Sequence, residues 1–485
     1  MPASLAGAGA GGVGSLTTSD PLINRIWTAS VKTATDMIAP GPLTTDAEGR
    51  PCPIALATVL LDGYVRDRCP YVGDQAVTGM TLLVSTPSAD SLLHNMILWY
   101  ADNQRADGSI PASPEKNGTL TLFDYEAYWV EDVYDYVLYT GDISLAKQVW
   151  PNLVKLMDSW YPAQMGPGGL LVNNLGDSDY AYIPRTGTTV AYYNAGYVRA
   201  LRFAASLADW VGQPSVGEGW TARIAPIAAA FGPAFWDPSV GAYKDATVGA
   251  VVHPEDGNVF AVLAGLATPK QAVSALDYLG GHEWQYYGAT LADNDVWDGY
   301  PWGDYADLRV YPFIGYFDVV ARYENDLDHS ALALIRREWG YMLKNGPKST
   351  MWETIGAYGG PPVDQNPSYD HGWSSGAAPA LTNYALGVQP ATPGFGTFLA
   401  EPHPADLKWA RGTVPTPHGP ITFKWYQAPH GFSASVSSPV PGKLILPDYG
   451  VAKLDGKTLP QQWGLTIVHV PSGTHEVVIT SASAG

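Results

Sequence analysis

Apolar residues recur at helical spacing through most of the chain and switch to a period of two after Pro390. Ser19-Asp20-Pro21 opens the first predicted helix, with Asp20 suited to the N-cap and Pro21 to the first helical position. Ile23, Trp27, Val31, Ala34 and Ile38 follow on one face. Residues 74–104 read as a helix, a break at Pro87 and a second helix through Leu93, Met96 and Tyr100. Residues 122–140 and 143–161 read as a helical hairpin turned by Thr140-Gly141-Asp142, with Leu153, Leu156, Met157 and Trp160 on one face of its second arm. A long helix over 188–211 stops at Gly212. Helical patterns continue near 217–235, 257–266, 268–279, 307–324, 328–345 and 375–386, separated by irregular Gly- and Trp-rich connections. The pattern predicts about a dozen helices in hairpin succession, an α/α barrel of two concentric rings.

Beyond Pro390, Ile421, Phe423 and Trp425 alternate with Thr422, Lys424 and Tyr426. Phe432, Ala434 and Val436 alternate likewise, and the pairs Leu465 and Ile467, then Val477 and Ile479, repeat the period. Pro- and Gly-rich turns divide these runs, which predicts an antiparallel β-sandwich of roughly 90 residues.

Composition narrows the classes of function. Hydrophobic residues make up 46% and charged residues 15%, and 17 Trp with 29 Tyr supply both a large core and rings to spare. A net charge of −19 argues against nucleic acid or an anionic membrane as partner and favours a small neutral or cationic one. No apolar run reaches transmembrane length. Two cysteines, Cys52 and Cys69, are no disulfide scaffold and are expected as reduced, partly buried thiols; neither they nor the histidines show a zinc spacing. The Ala/Gly-rich Met1–Gly14 lacks the basic and apolar regions of a signal peptide, so residues 1–18 are expected to be a flexible segment, and the protein is expected to be cytoplasmic if Met1 is the true start and not the cut edge of a longer protein.

Residues 39–73 form a long Pro/Gly-rich connection ending in Leu61-Asp62-Gly63-Tyr64-Val65-Arg66-Asp67-Arg68-Cys69-Pro70-Tyr71-Val72-Gly73-Asp74. Three acids, two arginines and two tyrosines in fourteen residues suit a sugar, whose C–H faces lie on aromatic rings while carboxylates bind hydroxyls or exchange protons. A surface salt-bridge cluster is the other reading of the same composition. The spacing Asp-Gly-x-x-Arg-Asp-Arg-x-x-x-x-Gly-Asp resembles the active-site signature of the α-L-rhamnosidases of glycoside hydrolase family 78, in its fungal-type form. Similar segments run from about Asp20 to the C-terminus, including Glu401-Pro402-His403-Pro404 through Gly419-Pro420. The resemblance implies six hairpins in the barrel: an α plus β protein with an (α/α)6 catalytic domain over 19–389 and an antiparallel sandwich over 390–485.

Glycoside hydrolysis needs two carboxyl groups, about 6.5–9.5 Å apart when the configuration inverts, as it does in the family. The resemblance puts the general acid at Asp67, although burial beside Asp62 and Asp74 and pairing with Arg66 or Arg68 would move its pKa in opposite directions. It puts the base at Glu353, in Ser349-Thr350-Met351-Trp352-Glu353-Thr354, where the family's following Arg is replaced by Thr354. His371, in Tyr369-Asp370-His371-Gly372-Trp373-Ser374, matches a family segment whose His binds sugar hydroxyls. Asp62, Arg66, Tyr71 and Asp74 are further candidates for binding substrate. Trp129 and Trp297 are candidate stacking walls, with Tyr71 a third surface for the methyl group of a 6-deoxy sugar. Asp177 stands where the family has Gly-Asp-Trp, its Trp replaced by Ser178. Asp256 and Asn258 read as structural at a helix start.

The expectation is an exo-acting, inverting α-L-rhamnosidase that acts on a small rhamnoside or oligosaccharide and needs no cofactor or metal. The alternatives are an α/α-barrel glycosidase for another sugar and a non-catalytic carbohydrate-binding protein. The oligomeric state is not legible from the sequence.

Overall fold

The computed structural model describes residues 13–45, 49–65, 68–114, 119–173, 179–183, 185, 188–292, 308–362, 368–460 and 464–481. The helices are α1 (Pro21–Asp36), α2 (Val72–Ser85), α3 (Asp90–Asp102), α4 (Tyr125–Thr140), α5 (Ile143–Lys155), α6 (Ala191–Val211), α7 (Pro214–Ala222), α8 (Ile224–Phe235), α9 (Glu255–Leu263), α10 (Pro269–His282), α11 (Pro312–Tyr323), α12 (Asp328–Asn345) and α13 (Ala377–Ala380). Wider turns extend α5 through Leu156–Trp160 and α13 through Leu381–Leu386. Asp20 caps α1 by accepting from the Leu22 N–H at 2.8 Å, and Gly141 and Gly212 take the left-handed conformation that ends α4 and α6.

Burial sorts the helices into two rings. Every residue of α2 and α11 is buried, as are Glu255–Val262 of α9. Together with α4, α6 and the segment Gly372–Leu386 they contact one another in turn, α2–α4–α6–α9–α11–372–386 and back to α2, closing an inner ring. The alternating helices bury a single stripe, such as Leu145, Ala146, Val149 and Leu153 of α5 or Ala272, Ala275, Leu276 and Leu279 of α10, and form the outer ring. The six-hairpin expectation therefore holds.

Of the strands, β1 (Ser15–Thr18) joins the sandwich, and β2 (Ile38–Pro40) pairs with β3 (Thr58–Leu60) at the base of the long connection. The two-residue ladders β4 (Trp236–Asp237) with β5 (Ala242–Tyr243) and β6 (Trp284–Gln285) with β7 (Gly288–Ala289) lie between helices. The sandwich adds β8 (Val388–Pro390), β9 (Phe398–Ala400), β10 (Trp409–Val414), β11 (Ile421–Ala428), β12 (Gly431–Ser438), β13 (Gly442–Pro447), β14 (Gly450–Leu454), β15 (Lys457–Thr458), β16 (Leu465–Val470) and β17 (Gly473–Ser481). One sheet runs β1-β10-β11-β12-β17-β14-β15 and the other β16-β13-β9-β8. Ile421, Phe423, Trp425, Phe432, Val436, Val477 and Ile479 point inward as their period predicts.

Three expectations change. Ser15–Thr18, within the segment expected to be flexible, is an edge strand paired with β10. Leu465 and Ile467 keep the period of two but in the opposite phase, facing out at 48% and 39% exposure, while Thr466, Val468 and Val470 face in. Cys52 and Cys69 are joined as a disulfide, not free thiols, with their Cα atoms 5.8 Å apart. The Asp62 N–H donates to the Cys69 carbonyl at 3.1 Å, which holds Cys69 against the earlier part of the connection. The sandwich is seated on the barrel by the Trp425 indole, which donates to the Ala385 carbonyl at 3.0 Å, and by Arg336, which bridges Asp20 and Asp406. Among the described residues no helix is long and apolar enough to cross a membrane.

Candidate active site

The inner helices start at Val72, Tyr125, Ala191, Glu255 and Pro312, and acids cluster at these starts: Asp74 in α2, Asp124 just before α4, Glu255 and Asp256 in α9. Helix N-termini favour negative charge, but burial opposes it. Contacts show that these ends converge. The Tyr125 hydroxyl donates to Asp74 Oδ2 at 3.3 Å, Tyr192 to Asp124 at 2.9 Å, and Tyr180 to Asp256 at 3.3 Å. Tyr180, Tyr311, Phe313 and Trp373 continue as an aromatic floor, with Phe313 stacked on Trp373 at 5.3 Å.

The long connection meets this end along one edge. Its Gly63 bridges His371, the Gly372 N–H donates to the Asp62 carbonyl at 3.1 Å, and the Tyr64 N–H donates to the Asp370 carbonyl at 3.0 Å. Two glycines permit the close fit. A Cβ on Gly372 would stand 2.5 Å from Thr78 Oγ1, and one on Gly73 would stand 2.6 Å from the Tyr125 ring.

The side chains so placed are acids around an imidazole. His371 Nε2 lies 2.8 Å from Asp62 Oδ1, and Nδ1 lies 3.8 Å from Asp74 Oδ1. All three residues are buried. Each offers one atom within 4.8 Å of the others, the geometry a cation can use among the described residues. The 2.8 Å contact is equally a hydrogen-bond distance, so a proton between ring and carboxylate satisfies that pair. Burial pushes the Asp74 carboxyl well above the usual range; the charge of Asp62 and a hydrogen bond shared with it push the same way, against the Tyr125 hydroxyl. Asp74 is therefore favoured as the neutral acid, able to donate where Asp62 accepts.

Glu353 comes from the segment after α12 and is held by its backbone. Its N–H donates to the Ser368 carbonyl at 3.0 Å, and its carbonyl accepts from the Trp373 indole at 2.7 Å. The His371 N–H donates to the Met351 carbonyl at 3.0 Å, and the Ser374 hydroxyl donates to the Trp352 carbonyl. Residues 351–353 and 368–374 thus form one cross-linked unit carrying both Glu353 and His371. The Glu353 charge reaches Asp74, where it adds to the upward shift.

The structure gathers Asp62, Asp74, His371 and Glu353 at one end of the ring, with Tyr71 edge-on to Tyr125 at 6.4 Å. Trp129 does not join them. It is fully buried, its indole directed at the Ile97 carbonyl of α3 at 3.4 Å, so it is core between the rings and not a pocket wall. Arg66, Asp67, Asp177 and Trp297 lie outside the described residues. Asp256 and Asn258 take the structural parts expected. Asp256 pairs with Arg185 at 2.8 Å, and Asn258 bonds the Tyr243 backbone at both N and O.

Sequence reasoning missed three groups here. Asp124 has its carboxyl raised by burial and then by Asp179, and it anchors Tyr180 and Tyr192. Arg185 is buried between Asp179, Asp245 and Asp256 at 2.8–3.0 Å and ties the loop before α6 to α9. Asp370 is raised to about 7, first by burial and then by the charge of Asp36. The acids at the starts of α2 and α9 were the available signal for Asp124; Arg185 and Asp370 depend on partners distant in sequence, Asp245 and Asp256 for the one and Asp36 for the other.

Residues 54–279 match the family model of the bacterial alpha-L-rhamnosidase six-hairpin glycosidase domain, and residues 387–458 match that of the bacterial alpha-L-rhamnosidase C-terminal domain. The chain carries the two domains of the bacterial alpha-L-rhamnosidase family. It is similar to an alpha-L-rhamnosidase of Alteromonas sp. (strain LOR), with 31% identity over 114 residues, 21% of this chain and 11% of that protein. It is also similar to an MMP endo-(1,4)-3-O-methyl-alpha-D-mannosidase of Mycolicibacterium hassiacum, 31% identical over 121 residues, 24% of this chain and 32% of that one. Its fold is shared with the Streptomyces avermitilis alpha-L-rhamnosidase solved with L-rhamnose, at a TM-score of 0.74 and 17% identity, over 98% of this chain and 43% of that one. The chain thus spans less than half the length of each of these three.

Proposed function

We propose that this α-L-rhamnosidase family member removes terminal α-L-rhamnose from a glycoside or oligosaccharide, with inversion at the anomeric carbon. The observation that carries the reading is the cross-linked unit that fixes Glu353 at the same end of the inner ring as Asp62, Asp74 and His371. Glu353 is half-buried, open to the water it would activate, while the enclosed, neutral Asp74 stands among the groups that face the sugar hydroxyls. In this mechanism Glu353 takes a proton from water as its oxygen bonds to C1. The bond from C1 to the glycosidic oxygen breaks, and Asp67 gives that oxygen its proton. Asp62, His371 and neutral Asp74 offer acceptors and donors to the sugar hydroxyls.

The test is hydrolysis of 4-nitrophenyl α-L-rhamnoside by the wild type, Asp67→Asn and Glu353→Gln, each checked for its fold. The reading expects turnover by the wild type, a large loss in Glu353→Gln and a smaller one in Asp67→Asn, since 4-nitrophenolate leaves with little protonation; a Glu353→Gln variant at the wild-type rate would remove it as the base. A second reading has a specific support in the similarity to a mannosidase, together with Ser178 and Thr354 in place of the family's Trp and Arg. It expects the wild type to cleave 4-nitrophenyl α-D-mannoside and to leave the rhamnoside intact.

A further inference from the structure

The outer face of the seven-stranded sheet carries a two-by-two block of side chains that neither the core nor the hydrolytic site uses. Trp409 and Tyr426 are direct partners across β10 and β11, and two residues along so are Arg411 and Lys424. Strand alternation turns Ala410, Phe423 and Trp425 into the core and leaves these four outside. Tyr426 is 53% exposed, and Arg411 and Lys424 are exposed too. With Ser433, Ser435 and Glu476 on the next strands they line a shallow depression of about 310 Å³.

The cations are the informative part. Like charges directly opposite on paired strands destabilise a sheet. Among the described residues no carboxylate lies within 4.0 Å of either one. Glu476 faces Ser435, two strands away from Lys424. The Arg411 guanidinium lies 5.7 Å from the Trp409 ring centre instead. An uncompensated cationic pair on a chain of net charge −19 points to an anion from outside. The rings beside it fit the C–H face of a sugar, and the serine hydroxyls fit its hydroxyls. Two residues along a strand span about 7 Å, the scale of one sugar unit. A polyphosphate chain fits less well, because it has no C–H face to lay on Trp409 and Tyr426.

We propose that this face binds a glycan bearing uronate carboxylates, one sugar ring on Trp409 and Tyr426 and a carboxylate between Arg411 and Lys424. The site is independent of the hydrolytic reading and holds whichever sugar the barrel cleaves.

The probe is a short oligogalacturonide, titrated calorimetrically at low salt, with a maltooligosaccharide of the same length as the neutral control. The wild type is expected to bind the acidic probe more tightly than the neutral one. Trp409→Ala with Tyr426→Ala, and Arg411→Ser with Lys424→Ser, are each expected to weaken it about tenfold or more. Hydrolysis at the barrel stays unchanged, and the Arg411→Ser, Lys424→Ser pair melts no lower than wild type, since a repulsion is removed. Tyr426→Ala and Lys424→Ser alone alter only exposed side chains and carry the test if a double variant unfolds. No binding by the wild type, equal binding of the neutral probe, or binding that survives loss of the rings would overturn the proposal. So would tighter binding of a single-stranded oligonucleotide, or self-association in ultracentrifugation that these variants abolish.

Discussion

The barrel mouth and the outer sandwich face use the same residue types, aromatic rings beside charges, with opposite burial. At the mouth Asp62, Asp74, Asp124 and Glu255 are enclosed, and desolvation raises the carboxyls of Asp74, Asp124 and Glu255. On the sandwich Tyr426, Arg411 and Lys424 stand in water. Enclosure changes what a carboxyl does, because a buried acid holds its proton where an exposed one gives it up. Exposure leaves charge and ring as recognition elements only. The difference suits the enclosed set to exchanging protons and the open one to recognition.

The largest effect should come from separating acid from base. Glu353→Gln is expected to lower kcat by about 10²–10⁴-fold with every leaving group, because water activation is lost throughout. Asp67→Asn is expected to lose about as much on an alkyl α-L-rhamnoside but far less on the 4-nitrophenyl glycoside, whose leaving group needs little protonation. Equal losses on both substrates would remove Asp67 as the proton donor.

Next in size is the imidazole. His371→Ala leaves Asp62 and Asp74 facing each other without the ring between them, and kcat/KM is expected to fall roughly 10–100-fold. A change below twofold would mean that the trio is only scaffold.

The helical part of this account was legible because a period of 3.6 survives in every outer helix. Asp62, Asp74, Glu353 and His371 were legible from local motifs. Trp129 was misplaced because an inner helix is buried on most of its sides, so periodicity cannot tell the face toward the mouth from the face toward α3. Arg185 was invisible because its carboxylates lie on three separate segments. The Cys52–Cys69 bond was missed because cysteine count speaks to frameworks and not to a single clasp. The outward phase of Leu465 and Ile467 shows the remaining limit: alternation fixes the period of a strand and not which side is the core.

The clasp gives a smaller effect. Cys52→Ser with Cys69→Ser frees a segment closed over 17 positions, and loops of that size are worth about 3 kcal/mol. The double variant should unfold at lower denaturant and raise KM, since the same segment carries Asp62 and Asp67. Unchanged KM would mean that the bridges to 370–372 suffice.

The smallest effect concerns pH. Asp370, raised to about 7, is protonated in the folded protein at pH values where the unfolded chain has already ionised. Its stabilising contribution is therefore complete below about pH 4 and declines as pH rises to about 7. Asp370→Asn should flatten the fall in melting temperature between pH 5 and 8; a parallel fall in both proteins would assign that slope elsewhere.

The most direct measurement is proton NMR of the sugar as wild-type protein first releases it from 4-nitrophenyl α-L-rhamnoside. The account predicts that β-L-rhamnose appears first and mutarotates to the equilibrium mixture, as attack by a Glu353-activated water requires. Initial release of α-L-rhamnose would mean a covalent intermediate, and Glu353 could not then hold the place given to it.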